Sequence, residues 1–244
     1  HTRSCLVSWA RDVYKRQVYA VSENTAKPIY TGSLYEIEDG VFKIIAIDGY
    51  RMAIRSENVD SESKNRFVVP GKTQHEVLKL LTDDEENTEI IIGQRHITFK
   101  IKNYRIISRL IEGTFIEYKS AIPKETKTEV VINTRTIIDA VERMSLLNND
   151  RIQSPVRCIF SDDEIKLSCT SAVGRANDVI SVPIIGESVE IGFNNRYLLD
   201  ALKNADTDEI KLILNGSLTA MIVKPVKGDS YLSIVVPMRL ANEN

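Results

Sequence analysis

Ile47-Asp48-Gly49-Tyr50-Arg51-Met52-Ala53-Ile54 is the stretch on which the reading of this chain turns. It follows Phe42-Lys43-Ile44-Ile45-Ala46, an apolar-rich run with the alternation of a strand. Asp48-Gly49 then reverses the chain. An Asp-Gly pair between β-prone runs predicts a two-residue hairpin turn of type I′, which needs positive φ at both centres. Behind the turn, Tyr50, Arg51 and Met52 are placed to rim a surface pocket. The plain alternative is a hairpin with no further role.

At 244 residues the chain is long enough for one large or two ordinary domains. A chain 43% hydrophobic and 27% charged is globular in composition, neither disordered nor fibrous. No run of eighteen apolar residues occurs. With 32 basic against 34 acidic side chains, overall charge carries no nucleic-acid signal. Any basic surface must come from segregation onto one face. Cys5, Cys158 and Cys169 are few, odd in number and without metal-ligand spacing. They predict a reducing, cytoplasmic setting without a disulfide frame. His1, His75 and His96 stand apart, and no Cys-x-x-Cys, His-Glu-x-x-His or phosphate-binding Gly-Lys-Ser/Thr loop is present. The sequence therefore assigns no catalytic residue, metal or cofactor.

Residues 1–17 hold the only Trp and a basic, acid-poor composition, and they differ in character from the rest of the chain. They are expected to be a non-native or leader segment joined to a shortened gene. An ordinary first helix over Val7–Gln17 is the alternative. From Val18 the pattern is orderly, beginning with a helix end at Val18–Val21. A strand is predicted over Ile29–Ile37, turned by Glu38-Asp39-Gly40. Residues 56–66 form a charged polar loop. A strand at Phe67–Val69 leads into a helix over Lys72–Leu81, its apolar side formed by Val77, Leu78, Leu80 and Leu81. After an acidic loop at 82–87 come strands at 89–92, 96–101 and 104–110.

The charged, Pro-containing stretch 117–128 reads as an interdomain connection, giving domains at 18–122 and 123–244. In the second domain a strand at 129–132 leads to a helix capped by Asn133 and running to Leu147. Strands follow at 156–160, 164–170, 175–182 and 190–193, then a helix at 194–204 and strands at 209–214, 219–223 and 231–236.

The two halves superpose with an offset of 123 residues. Gly71 after Val-Val-Pro maps onto Asn194 after Ile-Gly-Phe, and Val18 maps onto Val141. So long a period means duplicated domains rather than stacked modules. The fold class is α+β, with each copy expected to hold two helices and two small antiparallel β-sheets. The leading strand and first helix of the first copy should fall within residues 1–17.

These residues resemble a known family, the bacterial DNA polymerase III beta subunit, or sliding clamp. The resemblance rests on KPIYTGSLYEIEDG (27–40), IDGYRMA (47–53), FVVPGKTQHEVLKLL (67–81), EIGFNNRYLLDAL (190–202) and, most specific, SIVVPMRL (233–240). It runs from Val18 to Leu240 and corresponds to the second and third of the family's three domains. It implies a DNA-clamp fold and a processivity factor without catalytic activity. Two three-domain subunits form a head-to-tail homodimer ring around duplex DNA. Such a ring would tether the DNA polymerase III catalytic subunit, the clamp loader and repair polymerases through short linear peptides. Lacking the first domain, this chain is expected not to close that ring alone.

The resemblance places a partner-peptide pocket on Tyr30, Ile47, Gly49, Tyr50, Arg51 and Met52. Ile116, Ser120 and Ala121 join them at the domain junction, with Asn194, Tyr197, Leu218 and Ala220 from the second domain. Ile234, Val235, Val236, Pro237, Met238, Arg239 and Leu240 complete it. Ile47, Tyr50 and Met52 depart from the family's usual Thr, His and Leu. Met side chains repack around different ligands, which suits one site with many partners. The plain reading of Val235 and Val236 is core strand, and of Met238 and Leu240 a frayed tail.

Lys72 and Lys79 lie seven apart on one helix face, and Arg196 and Lys203 repeat that spacing. With Lys27 and Arg135 they are the DNA-facing candidates, against the alternative of an ordinary solvated face. A competing reading is a small-molecule-binding or hydrolytic α+β protein using Asp48, Tyr50 and His75.

Overall fold

The computed structural model describes residues 3–7, 17–59, 64–81, 88–147 and 154–240. The acidic loop at 82–87, the last four residues and most of the 1–17 segment, with its alternative helix, lie outside the described residues. The chain divides into two compact units between Ile116 and Glu117, earlier than the boundary expected after residue 122.

In the first unit the strands are β1 (Arg3–Val7), β2 (Gly32–Glu38), β3 (Val41–Ile47), β4 (Arg51–Asn58) and β5 (Asn65–Pro70). Helix α1 (Gly71–Leu80) follows, then β6 (Thr88–Ile92), β7 (His96–Ile101) and β8 (Tyr104–Arg109). They form two antiparallel sheets, ordered β1-β6-β7-β8 and β4-β3-β2-β5. Alternation along the strands sends Tyr35, Phe42, Ile44, Ile97 and Phe99 into one core, where α1 adds Val77. Full burial of each such side chain contributes about 1.5–3 kcal/mol.

The second unit holds β9 (Thr128–Asn133), α2 (Thr134–Ser145), β10 (Val156–Ser161), β11 (Glu164–Ser171) and β12 (Gly174–Ser181). It continues with β13 (Ile184–Gly186), β14 (Val189–Phe193), α3 (Asn195–Lys203), β15 (Glu209–Leu214), β16 (Met221–Pro225) and β17 (Tyr231–Val235). Its strands pair in the orders β12-β11-β10-β14 and β13-β9-β15-β16-β17. The unit is a strand-helix-three-strand motif written twice, β9-α2-β10-β11-β12 and β14-α3-β15-β16-β17. Each leading strand crosses over: β9 pairs with β15, and β14 pairs with β10. The first unit makes the same exchange, β5 with β2 and β1 with β6.

The 123-residue offset is visible in the backbone. β4 at 51–58 and β12 at 174–181 share it, as do the turns before β3 and β11. Asp39 and Gly40 have φ of 51° and 74°; Asp162 and Asp163 have 55° and 56°. Both turns therefore have the sign pattern of type I′. Helices α2 and α3 give the second unit its two. In the first unit α1 is the α-helix among the described residues, and a 3-10 turn at Val18–Ala20 stands at the position matching α2.

Four sequence expectations are corrected. The Asp48-Gly49 turn is not type I′: Gly49 alone has positive φ, 96°. The turn spans Asp48–Arg51, with Ile47 paired to Met52, and glycine sits at its first central position as in type II′. Second, the strand expected from Ile29 begins only at Gly32: Ile29–Thr31 belong to a 3-10 turn started by Pro28, whose carbonyl accepts from Thr31 Oγ1 at 2.7 Å. Third, the polar 56–66 segment is strand as far as Asn58 and again from Asn65, since Val41 and Ile37 supply cross-strand partners. Fourth, β13 has no apolar alternation to announce it and exists through its pairing with β9.

Candidate functional site

The candidate residues fall on both units. In the first, Tyr30 is half-buried on the Pro28–Thr31 turn, its ring edge-on to Phe115 with centroids 5.7 Å apart. Lys27 Nζ stands 5.9 Å from the Tyr30 ring centroid, so a DNA-facing candidate and a pocket candidate touch. Ile47 and Met52, a cross-strand pair, are both buried. Gly49 is exposed, and Tyr50 is 60% exposed beside it. Arg51 is buried: its Nε donates to Asp48 Oδ2 at 2.8 Å, and its guanidinium lies 5.3 Å from the Tyr19 ring centroid. Ile116 is exposed, and its carbonyl accepts from Arg66 at 3.5 Å.

The competing hydrolytic reading meets a carboxylate already employed. Asp48 Oδ1 accepts from the Tyr50 and Arg51 amides at 2.9 and 3.0 Å. His75 Nδ1 lies 2.8 Å from the Gly71 carbonyl one helical turn back. Asp48 thus builds the turn, and His75 is tied to its own helix.

In the second unit Ser120 and Ala121 are exposed on a 3-10 turn, Tyr118–Ala121, that Ser120 locks by donating to the Glu117 carbonyl. Asn194 caps α3, its Oδ1 accepting from the Tyr197 amide at 3.2 Å, and both residues are half-buried. Leu218 is 81% exposed before β16 and Ala220 half-buried. Ile234 and Val235, neighbours on opposite faces of β17, are both buried, whereas Val236 is exposed. Pro237, Met238 and Leu240 are half-buried, and Arg239 is exposed.

That tail is not frayed. The Met238 amide donates to the Gly192 carbonyl at 2.8 Å, forming a β-bridge to β14. β14 is the last strand of its sheet, so the tail occupies its open edge. Sequence reasoning missed Gly192. The available signal was a glycine inside a strand pattern, which marks close approach of another segment.

All six basic candidates are exposed; Lys27 precedes the Pro28–Thr31 turn, and the other five lie on the three described α-helices. Lys72, Arg135 and Arg196 each occupy the second position of α1, α2 and α3, and no first turn holds an acidic residue. A helix N-terminus carries partial positive charge, so a cation there costs about 0.3–1 kcal/mol. Lys79 and Lys203 sit in last turns, where the dipole favours them. Lys79 is tied to Glu76 at 2.8 Å, Arg135 to Asp139 at 2.8 Å and Lys203 to Glu142 at 2.7 Å. The Lys203 ammonium, as hydrogen-bond donor and charge, holds the Glu142 carboxyl below its ordinary range. Lys72 and Arg196 have no ion-pair partner among the described residues.

Two family domains match the chain: the central domain of the DNA polymerase III beta subunit over residues 8–117, and its C-terminal domain over 119–239. The chain belongs to the DNA polymerase III beta subunit family. Among curated relatives, the beta sliding clamp of Halalkalibacterium halodurans is 30% identical over 236 residues, covering 94% of this chain and 62% of its own length. The Bacillus subtilis beta sliding clamp gives 30% over 234 residues with the same coverage. The chain thus spans 62% of the length of these relatives.

Solved structures agree. A Bacillus subtilis DNA polymerase sliding clamp superposes with a TM-score of 0.94 at 28% identity, covering 99% of this chain and 65% of that one. A Pseudomonas aeruginosa sliding clamp bound to griselimycin gives 0.91 at 27%, covering 98% and 66%. The α+β class expected from the duplication and the clamp fold implied by the resemblance are both observed.

Proposed function

We propose that this chain is the peptide-docking and DNA-facing part of a replication clamp, a processivity module without catalysis. The observation that carries the DNA reading is the cation at the second position of every described α-helix. Those cations oppose the helix dipole, a local cost that binding polyanionic DNA would offset. Contacts of lysine and arginine with phosphates carry no sequence information, as a sliding protein requires.

Partner peptides would dock on two residue sets. One is the hairpin Ile47–Met52 with Tyr30. The other is the second unit's tail, Val236–Leu240, with Asn194, Tyr197, Leu218 and Ala220. Half-buried Met and Leu beside exposed Val236 supply apolar anchoring, the chemistry of a short hydrophobic peptide end.

A labelled short peptide with a Leu-Phe end tests the docking surface. Saturable binding, weakened both by Met52→Ala and by deletion of Met238–Leu240, is expected. Binding that neither change affects overturns the reading. For DNA, the association constant with a random duplex should fall steeply with salt, by a log–log slope of about 0.9 per phosphate neutralised. A flat salt profile would contradict it.

A further inference from the structure

We infer that Gly192 is the positioning residue of the C-terminal segment Val236–Leu240, and so sets the affinity of the docking surface proposed above, on which reading this inference rests. Gly192 lies inside β14, paired with Arg157 of β10. Its φ is not in the left-handed region, so the backbone there would accept any residue. What requires glycine is space. A Cβ at this position would stand 2.6 Å from Leu240 Cδ2, 2.9 Å from Leu240 Cγ and 3.0 Å from the Met238 carbonyl oxygen.

The place of a strand side chain is therefore filled by Leu240 of the tail. Two independent contacts hold the segment. One is the Leu240 side chain over Gly192; the other is the Met238 amide on the Gly192 carbonyl at 2.8 Å. Both converge on one residue, and both orient the chain that presents Val236, Met238 and Arg239. The three nearest atoms all belong to the tail, so an added methyl group presses first on Leu240 and Met238. It lifts Leu240, and with it Met238, off the strand edge. A docking surface displaced by a fraction of a side chain loses complementarity without losing any of its residues.

The test uses the full chain and two readouts: affinity for the labelled peptide, and hydrogen-exchange protection of the Met238 amide, with the α3 amide of Leu198 as an internal reference. Gly192→Ala should weaken the peptide by about tenfold, the scale of losing one anchoring contact. It should speed exchange at Met238 and leave Leu198 protected. Leu240→Ala removes the two nearest atoms and leaves only the Met238 carbonyl oxygen at 3.0 Å, so Gly192→Ala added to it should produce a much smaller further loss. Additive losses in the double variant overturn the inference. So does Met238 protection unchanged in Gly192→Ala. Should wild-type chain bind no peptide, the docking reading fails, while the exchange measurement still decides whether Gly192 positions the tail.

Discussion

Arg51 Nε donates to Asp48 Oδ2 at 2.8 Å across the β3–β4 turn, while Oδ1 of the same carboxylate accepts the Tyr50 and Arg51 amides. Both side chains are largely buried, at 8% and 11% exposure. One carboxylate thus satisfies two turn amides and one buried cation. Asp48→Ala removes all three of these contacts from a turn whose guanidinium is buried. A loss of about 1–3 kcal/mol of stability is expected, read as a lower urea midpoint. Asp48→Asn keeps an acceptor for the amides and should lose less. An Asp48→Ala chain as stable as wild type would remove the turn's proposed dependence on this residue.

Gln74 points inward from α1 and is fully buried. Its Nε2 donates to the Val69 carbonyl at 2.9 Å, and its Oε1 accepts from Ser33 Oγ at 3.1 Å. It therefore ties α1 to β2 and β5 at once. Gln74→Ala should cost about 1–3 kcal/mol, because two buried polar groups lose their partner. Gln74→Ala together with Ser33→Ala should cost less than the sum of the single changes, since each removes the other's orphan. Strict additivity in urea unfolding would show that the two do not act as a pair.

Much of this architecture was legible because its signals are local. Asp39-Gly40, the Asn133 cap and the Val-Val-Pro-Gly and Ile-Gly-Phe-Asn helix entries act within a few residues, and the two helix entries align the copies at the 123-residue offset. Gln74 was not legible: a polar residue on a helix reads as surface until two strands arrive to satisfy it. β13 and the Met238–Gly192 bridge exist only through segments distant in sequence. Among site residues, Tyr50 and Val236 are exposed, as the proposed docking surface requires. Arg51 and Asn194 turn out to hold local structure, which residue type alone does not distinguish from binding.

Asn194 separates those two roles by experiment. As the cap of α3 it accepts the Tyr197 amide. Asn194→Ala should cost about 0.5–2 kcal/mol, and Asn194→Asp, another good cap, much less. If capping is its whole contribution, Asn194→Asp should also bind the partner peptide as wild type does. A weakened peptide with normal stability would instead give Asn194 a direct contact.

Cys158 is buried in the second unit, and burial pushes its thiol up to about 12 from an ordinary 9.0. In the unfolded chain the same thiol ionises near its ordinary value. The folded protein is thus favoured by the neutral thiol in full below about pH 9. That contribution is lost as pH rises from about 9 toward 12, by up to roughly 1.4 kcal/mol per pH unit. Urea midpoints should therefore fall less steeply between pH 8.5 and 10.5, by about 1–2 kcal/mol in all, in Cys158→Ala than in wild type. The native thiol should also resist a thiol reagent at pH 8 until the chain unfolds. Parallel stability profiles for the two proteins would show that Cys158 does not titrate with unfolding.

The strongest test of the DNA face uses the helix dipole against function. Lys72 and Arg196 sit at the second positions of α1 and α3, where a cation is unfavourable, and neither has an ion-pair partner among the described residues. A structural role predicts that replacing them with Glu harms stability. A DNA-binding role predicts the reverse. Lys72→Glu and Arg196→Glu should each raise stability by about 0.3–1 kcal/mol through the dipole. Each should also weaken duplex binding and lower the log–log salt slope by about 0.9. Lys79→Glu, in the last turn, removes a favourable cation and breaks the Glu76 pair, so it should weaken DNA and stability together. Opposite signs in stability and affinity at the first-turn sites, and equal signs at Lys79, would be hard to obtain from an ordinary solvated face. Unchanged duplex affinity in the Lys72→Glu, Arg196→Glu double variant would remove these helices from the DNA surface.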